Sequence, residues 1–217
     1  MGLFSFLKSE KPVYKDWVWK SKPLAWRGMI TEALKVITRD EIPIVLCFFE
    51  DTQIELESFL ADSKVPFYRL SSDEMGEAAQ QDKVVFVSNT NLISSPAIID
   101  LIRKFNVRGK VSFFFAGHYP LPDTENSIVK KLKTTFPQST IAFCSSLDDP
   151  SFKLFNADRI IKLMESLGMK EEDVIEHPMV SSAMKRAREK VASQIIKETP
   201  TQSEAEWFAL NGREKYK

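Results

Sequence analysis

Four apolar runs constrain this chain more than any other feature: "IPIVLCFF" at 42–49, "KVVFVS" at 83–88, "KVSFFFAG" at 110–117 and "TIAFCSS" at 140–146. Each is nearly continuous rather than alternating, which marks strands covered on both faces. A shorter run, "VPFYRL" at 65–70, adds a fifth. Helical periodicities lie between them. "PLAWRGMITEALKVITRD" places Leu24, Met29, Ile30, Ala33, Leu34 and Ile37 on one face, with Pro23 in the first turn. "DTQIELESFLAD", with Asp51 as N-cap, presents Ile54, Leu56, Phe59 and Leu60. A short polar helix near 72–81, "SPAIIDLIRKF" capped by Ser94 or Ser95, and "TENSIVKKLKTTF" complete the alternation. Strands that alternate with helices predict an α/β fold, with a mostly parallel sheet of about five strands between helical layers.

After residue 155 the strand runs stop. "ADRIIKLMESLGM" reads as a helix ending at Gly168, a C-cap. A longer helix follows, with Val180, Met184, Ala187, Val191 and Ile195 along a narrow stripe. Such a stripe packs either over the domain or against a partner. Pro200 ends it, and a terminal helix carries Trp207 and Phe208. The predicted organisation is an aromatic and basic arm over 1–22, an α/β domain over 23–168 and a helical extension over 169–217.

Charge removes several function classes. Thirty basic and thirty acidic side chains cancel, so no global field draws the chain to nucleic acid or anionic lipid. No apolar run approaches the roughly 18 residues of a membrane span. "GLFSFLK" at 2–8 offers a marginal surface patch, and Phe6 stands where a myristoylation signal needs Ser or Thr. "MGLFSFLKSEK" lacks the apolar core and small-residue cleavage site of a secretory leader. Cys47 and Cys144 lie in apolar runs as small hydrophobes, with no disulfide or zinc spacing. The expectation is a cytoplasmic protein without stable membrane insertion.

The stretch "LGMKEEDVIEHPMVSSAMKRAREKV", residues 167–191, narrows the choice of family. Through Leu167, Gly168, Met169, Ile175, Glu176, His177, Pro178, Val180, Ala187, Lys190 and Val191 it resembles one junction in SecA, the family of bacterial protein-translocation ATPases. That junction joins the second motor domain to the helical scaffold. "IPIVLCFFEDTQIELESFLADSKVPFYRL" is similar to the segment that opens the same domain, and "SSLDDPSFKLFNADRI" to the stretch that closes it. The resemblance covers about residues 28 to 195 and implies a RecA-like three-layer sandwich.

It also exposes what this sequence lacks. In SecA a Gly-Arg-Gly-Thr-Asp loop contacts nucleotide and couples the motor domains, and an arginine-rich helix reaches the γ-phosphate. Here the first position reads "VSNTNLISSPAIID" at 87–100, and no arginine lies between Arg108 and Arg159. Lys130, Lys131 and Lys133 stand nearest, but an ammonium does not replace the planar fork. An arginine finger is worth about 10³–10⁵ in rate. Nor does the chain contain G-x-x-x-x-G-K-[ST], the backbone cradle for phosphates. The resemblance therefore implies a scaffold with no catalytic residues and no cofactor, acting as a protein interaction module. Two alternatives stand beside it: an accessory of protein export, and an enzyme or small-ligand binder reusing the old crevice. Fold-level likeness alone does not choose among them.

Candidate crevice residues follow from the strand ends. His118 comes just after an apolar strand, where α/β sites collect, with Asp123 and Glu125 nearby. The competing reading is a loop histidine beside the Pro120-x-Pro122 turn. Asn89 and Asn91 fall at the lost nucleotide loop. His177 reads as a helix cap rather than a metal ligand, since no ligand cluster accompanies it. Asp148-Asp149 with Ser145 and Ser146 read as a turn and cap, and no G-x-S-x-G elbow surrounds the serines. The lysines and aromatics of "VYKDWVWKSKPLAWRG" could clamp a nucleic acid, although neutral charge favours packing or protein contact. The expected partner contacts are Trp17, Trp19, Val180, Met184, Val191 and Trp207, and a homodimer through the 178–198 helix stays open.

Overall fold

The computed structural model describes residues 14–70, 84–105, 110–154, 161, 162, 164 and 168–212. In chain order the elements are β1 (Lys15–Trp19), α1 (Lys22–Ile37), β2 (Ile42–Cys47), α2 (Glu50–Asp62), β3 (Phe67–Arg69) and β4 (Val85–Asn89). Then come α3 (Pro96–Phe105), β5 (Val111–Ala116), α4 (Pro122–Thr135), β6 (Thr140–Ser146), a 3-10 turn (Pro150–Leu154), α5 (Pro178–Ala192) and α6 (Glu204–Asn211). The polar helix expected near 72–81, and most of "ADRIIKLMESL", lie outside the described residues.

One sheet of six strands runs in the order β1-β6-β5-β2-β4-β3. Every pair is parallel, and helices cover both faces, so the fold is the expected three-layer α/β sandwich. On one face α1 and α2 bury Met29, Ala33, Leu56 and Leu60 against Val45, Val87, Phe114 and Cys144. On the other, α3 and α4 set Ile98, Ile102, Val129 and Leu132 on Leu46, Phe113, Phe115 and Phe143. The central strands are buried on both sides, which is what their unbroken apolar runs demanded.

The sixth strand is the first one in the chain. Residues 15–19, placed by the sequence reading in an N-terminal arm, form β1 and pair with β6 from Lys15↔Ala142 to Trp19↔Ser146. The signal was a period of two. Lys15, Trp17 and Trp19 turn to the α1 side, while Val18 joins Leu147, Phe152, Ile175, Val180 and Met184 on the other. Trp19 is accommodated because α1 carries a glycine where the indole crosses it. A Cβ on Gly28 would lie 2.3 Å from Trp19 Cζ2. Overpacking of this kind costs about 1–3 kcal/mol, of which the better helix propensity of alanine returns about 1. Gly28→Ala is accordingly expected to lower the urea midpoint, and a higher midpoint would refute the close approach.

Local expectations change at several places, and the helix expected to run to Pro200 stops at Ala192, leaving Ile195 outside it. Asp51 is not the N-cap of α2: Phe49 holds that place, with no side-chain cap. The Asp51 backbone N–H instead donates to the Gln202 carbonyl at 3.1 Å. On the same helix Gln53 is buried and Ile54 is 54% exposed, because the buried register is Gln53, Leu56 and Leu60. Other caps fall where expected. Gly168 has φ +67, and Met169 N donates to Met164 O at 3.0 Å, closing a left-handed helix end. His177 Nδ1 accepts from Met179 N at 3.1 Å and caps α5.

Candidate functional site

The site follows from the order of the strands. β2 is followed by α2 on one face of the sheet, and its neighbour β5 by α4 on the other. Connections that leave adjacent strands in opposite directions open a crevice beyond their carboxyl ends. A pocket of about 100 Å³ lies there, lined by Phe48 and Phe49 after β2, Gly117 and His118 after β5, and Asp148 and Asp149 after β6. Lys22 from α1 and Glu204 from α6 complete it. Gly117 turns the chain at φ +97, a conformation that disfavours any side chain.

His118 is a buried member of a four-charge network, not a surface loop residue. Its Nδ1 is 2.9 Å from Glu125 Oε2, and its Nε2 is 3.1 Å from Asp16 Oδ1. Arg188 Nη2 reaches the same Glu125 oxygen at 2.9 Å, and its Nε donates to the Tyr119 carbonyl at 2.9 Å. The Tyr119 backbone N–H adds a third donor to Glu125 Oε2 at 3.1 Å. Arg188 Nη1 also lies 3.0 Å from His118 Nδ1. One ring nitrogen cannot donate to Glu125 and accept from Arg188 together. The carboxylate, only 1% exposed, stabilises a donor at Nδ1, so the guanidinium beside it is a like-charge neighbour. Phe143 supports the imidazole from beneath, with ring centroids 4.5 Å apart and planes 5° from parallel.

Each charge in the network is set by its neighbours. Burial pushes the His118 pKa down, but the Glu125 carboxylate and hydrogen bonds to Asp16 and Glu125 outweigh burial and Arg188 and raise it to about 9. Burial also works to raise Asp16 and Glu125. Both nevertheless fall below their ordinary values, through His118 first, then through Ser181 and Arg188 at Asp16 and through Arg188 at Glu125. At neutral pH the imidazole is thus a held cation, unsuited to act as a general base. The sign of the linkage is fixed by the raised value: His118 stabilises the fold fully below about pH 6.5, and this is lost as pH climbs through about 9. In a Glu204→Gln background, the melting temperature is expected to fall between those values. A flat profile there would remove the imidazolium from the account.

The floor of the crevice is acidic. Asp149 accepts from Ser146 N at 2.9 Å and Ser146 Oγ at 2.8 Å, closing the turn that the sequence reading expected. Asp148 accepts from the Lys22 backbone N–H at 3.1 Å. Glu204 accepts from Ser151 Oγ at 3.0 Å. Burial, followed by the charge of Asp149, pushes Glu204 up to about 8, and burial raises Asp149 also. Lys22 Nζ is turned to Glu55 at 2.5 Å and over the Trp26 ring.

Of the four crevice residues expected from sequence, only His118 lines the pocket. Asn89 closes β4 and uses its Oδ1 to accept from Asn91 N at 2.9 Å, so the two asparagines shape their own turn. Asp123 is exposed in the first turn of α4, where a carboxylate suits the helix dipole. The expected partner contacts are mostly spent inside the chain: Trp19, Val180, Met184, Val191 and Trp207 are all buried. Trp17 is half-buried, and its indole N–H donates to Glu176. Sequence reasoning passed over Asp16, Arg188 and Glu204. Arg188 had left a trace, since it falls four residues after Met184 on the buried stripe of α5. Among the described residues no group of three or more His, Cys, Asp and Glu is placed to hold a metal ion. No described helix is long and apolar enough to cross a membrane.

The molecule is thus an α/β sandwich with a narrow, acid-lined crevice at its switch point. No family model matches the chain. Among curated proteins it is similar to the protein translocase subunit SecA of Phocaeicola vulgatus, 24% identical over 183 residues that cover 81% of this chain and 16% of that protein. The SecA of Acidithiobacillus ferrooxidans is 47% identical over 55 residues, 25% of this chain and 6% of the relative. That of Chlorobium phaeobacteroides is 48% identical over 52 residues, 24% and 5% respectively. The likeness to SecA therefore extends over most of this chain, which spans 16% or less of the length of these relatives.

Proposed function

We propose that this SecA-like chain serves protein export through contact with a protein partner and does not hydrolyse nucleotide. The observation that carries the reading is the content of its switch-point crevice. A ligand pocket usually offers about 300–1,000 Å³, whereas this one holds about 100 Å³ and presents Asp148, Asp149 and Glu204. A triphosphate entering it would meet carboxyl groups in place of guanidinium groups. The sequence supports the same view, with no phosphate-cradling glycine loop and no arginine from 109 to 158. The similarity to SecA over 81% of the chain points to the export machinery as the source of the partner, and the cell's own SecA is the first candidate.

Two measurements test this together. Tagged protein recovered from its native cells is expected to bring SecA with it, and calorimetric titration with ATP or ADP is expected to be silent at millimolar nucleotide. Recovery without SecA would overturn the export assignment. ATP turnover abolished by a single substitution in the crevice would overturn the non-catalytic one.

A further inference from the structure

The chain's own C-terminal segment reaches into the crevice through Glu204, which lines it. Between α5 and α6, residues 193–203 run without regular structure, and Ile196 is 92% exposed. Three points hold the segment down. The Gln202 carbonyl accepts from Asp51 N at 3.1 Å, a donor in the first turn of α2 that has no partner within its own helix. The Glu204 carboxyl enters the crevice and accepts from Ser151 Oγ at 3.0 Å. Trp207 is 0% exposed, and its Nε1 donates at 2.7 Å to Glu198 Oε1, which also accepts from the Tyr119 hydroxyl.

We propose that residues 198–207 are a releasable stopper of the switch-point crevice, governed by two facing carboxyl groups, Glu204 and Asp149, that share the space only while one is uncharged. The charged groups around them come from α1 (Lys22), the loop after β5 (His118) and the turn after β6 (Asp148). Both cations are engaged elsewhere: Lys22 with Glu55, and His118 with Asp16 and Glu125. From there they still lower both crevice carboxyls, but not by enough to offset burial. The seated segment keeps a proton that the released one gives up, and Glu204 loses it only near about pH 8. Seating therefore weakens by up to about tenfold per pH unit from the ordinary carboxylate range to that value, then levels off. This device stands apart from the identity of any partner.

Cys144 lines the crevice, and Cys47 is buried in β2, so the full chain carries its own reporter and reference. N-ethylmaleimide labelling, read for each cysteine by peptide mass spectrometry, gives a Cys144-to-Cys47 rate ratio that discounts the general effect of pH on thiols. The ratio is expected to rise by up to about tenfold per pH unit from about pH 6 to 8 in the parent. It should stay flat in Glu204→Gln and be high at every pH in Trp207→Ala. A flat ratio in the parent, or an equal rise in Glu204→Gln, overturns the proposal. Should Trp207→Ala lose its circular dichroism spectrum, the Glu204→Gln comparison decides alone.

Discussion

Glu125→Ala is expected to destabilise the protein by about 3–5 kcal/mol, the cost of breaking a buried ion pair from one side. The carboxylate accepts from His118, Arg188 and the Tyr119 backbone. Removing it leaves Arg188 without a carboxylate and His118 with Asp16 alone, the two cations 3.0 Å apart. Arg188→Ala in the same background is expected to recover part of the loss, because it removes the stranded guanidinium. Chemical denaturation of the parent, both single variants and the double variant closes the cycle. A Glu125→Ala cost below about 0.5 kcal/mol, the ordinary range for surface changes, would mean that the network is a contact pattern without energy.

Phe143→Ala is the second large effect, expected at about 3–5 kcal/mol because the cavity it leaves cannot collapse. The ring is 0% exposed. It stacks on Phe115 at 4.5 Å, meets Tyr14 edge-on at 4.8 Å and lies under the His118 imidazole. Its loss removes packing and also the apolar wall that orients the imidazole. Ile54→Ala on α2 provides the contrast: that side chain is 54% exposed, and a change within about 0.5 kcal/mol is expected. Equal losses at the two positions, read from denaturant midpoints, would contradict the placement of the core.

The layers of the fold were legible because they depend on periodicity. "KVSFFFAG" and "TIAFCSS" could only become covered strands, and helical patterns between strands force a parallel sheet. β1 escaped notice because its five residues contain one lysine, one aspartate and two tryptophans, and the aromatic and basic content masked the alternation. The candidate site was legible only in its location. His118 could be placed at a strand end from sequence, but its fate was decided by Asp16 and Arg188, which lie 102 residues before and 70 after it. A charged group on an apolar helical stripe announces a buried partner without naming it. Glu204 gave no signal at all, since its burial depends on how an irregular connector returns α6 to the sheet.

The bridge between Val18 and Ile175 has one more consequence. β1 borders the sheet, and its outward backbone would present unpaired groups to any other extended chain. Ile175, running antiparallel in an otherwise parallel array, takes the Val18 carbonyl at 2.8 Å. This stub of backbone works as a guard rail at an open border. A molecule that lost it would keep its fold while becoming sticky, and turbidity would announce the damage before any melting curve did.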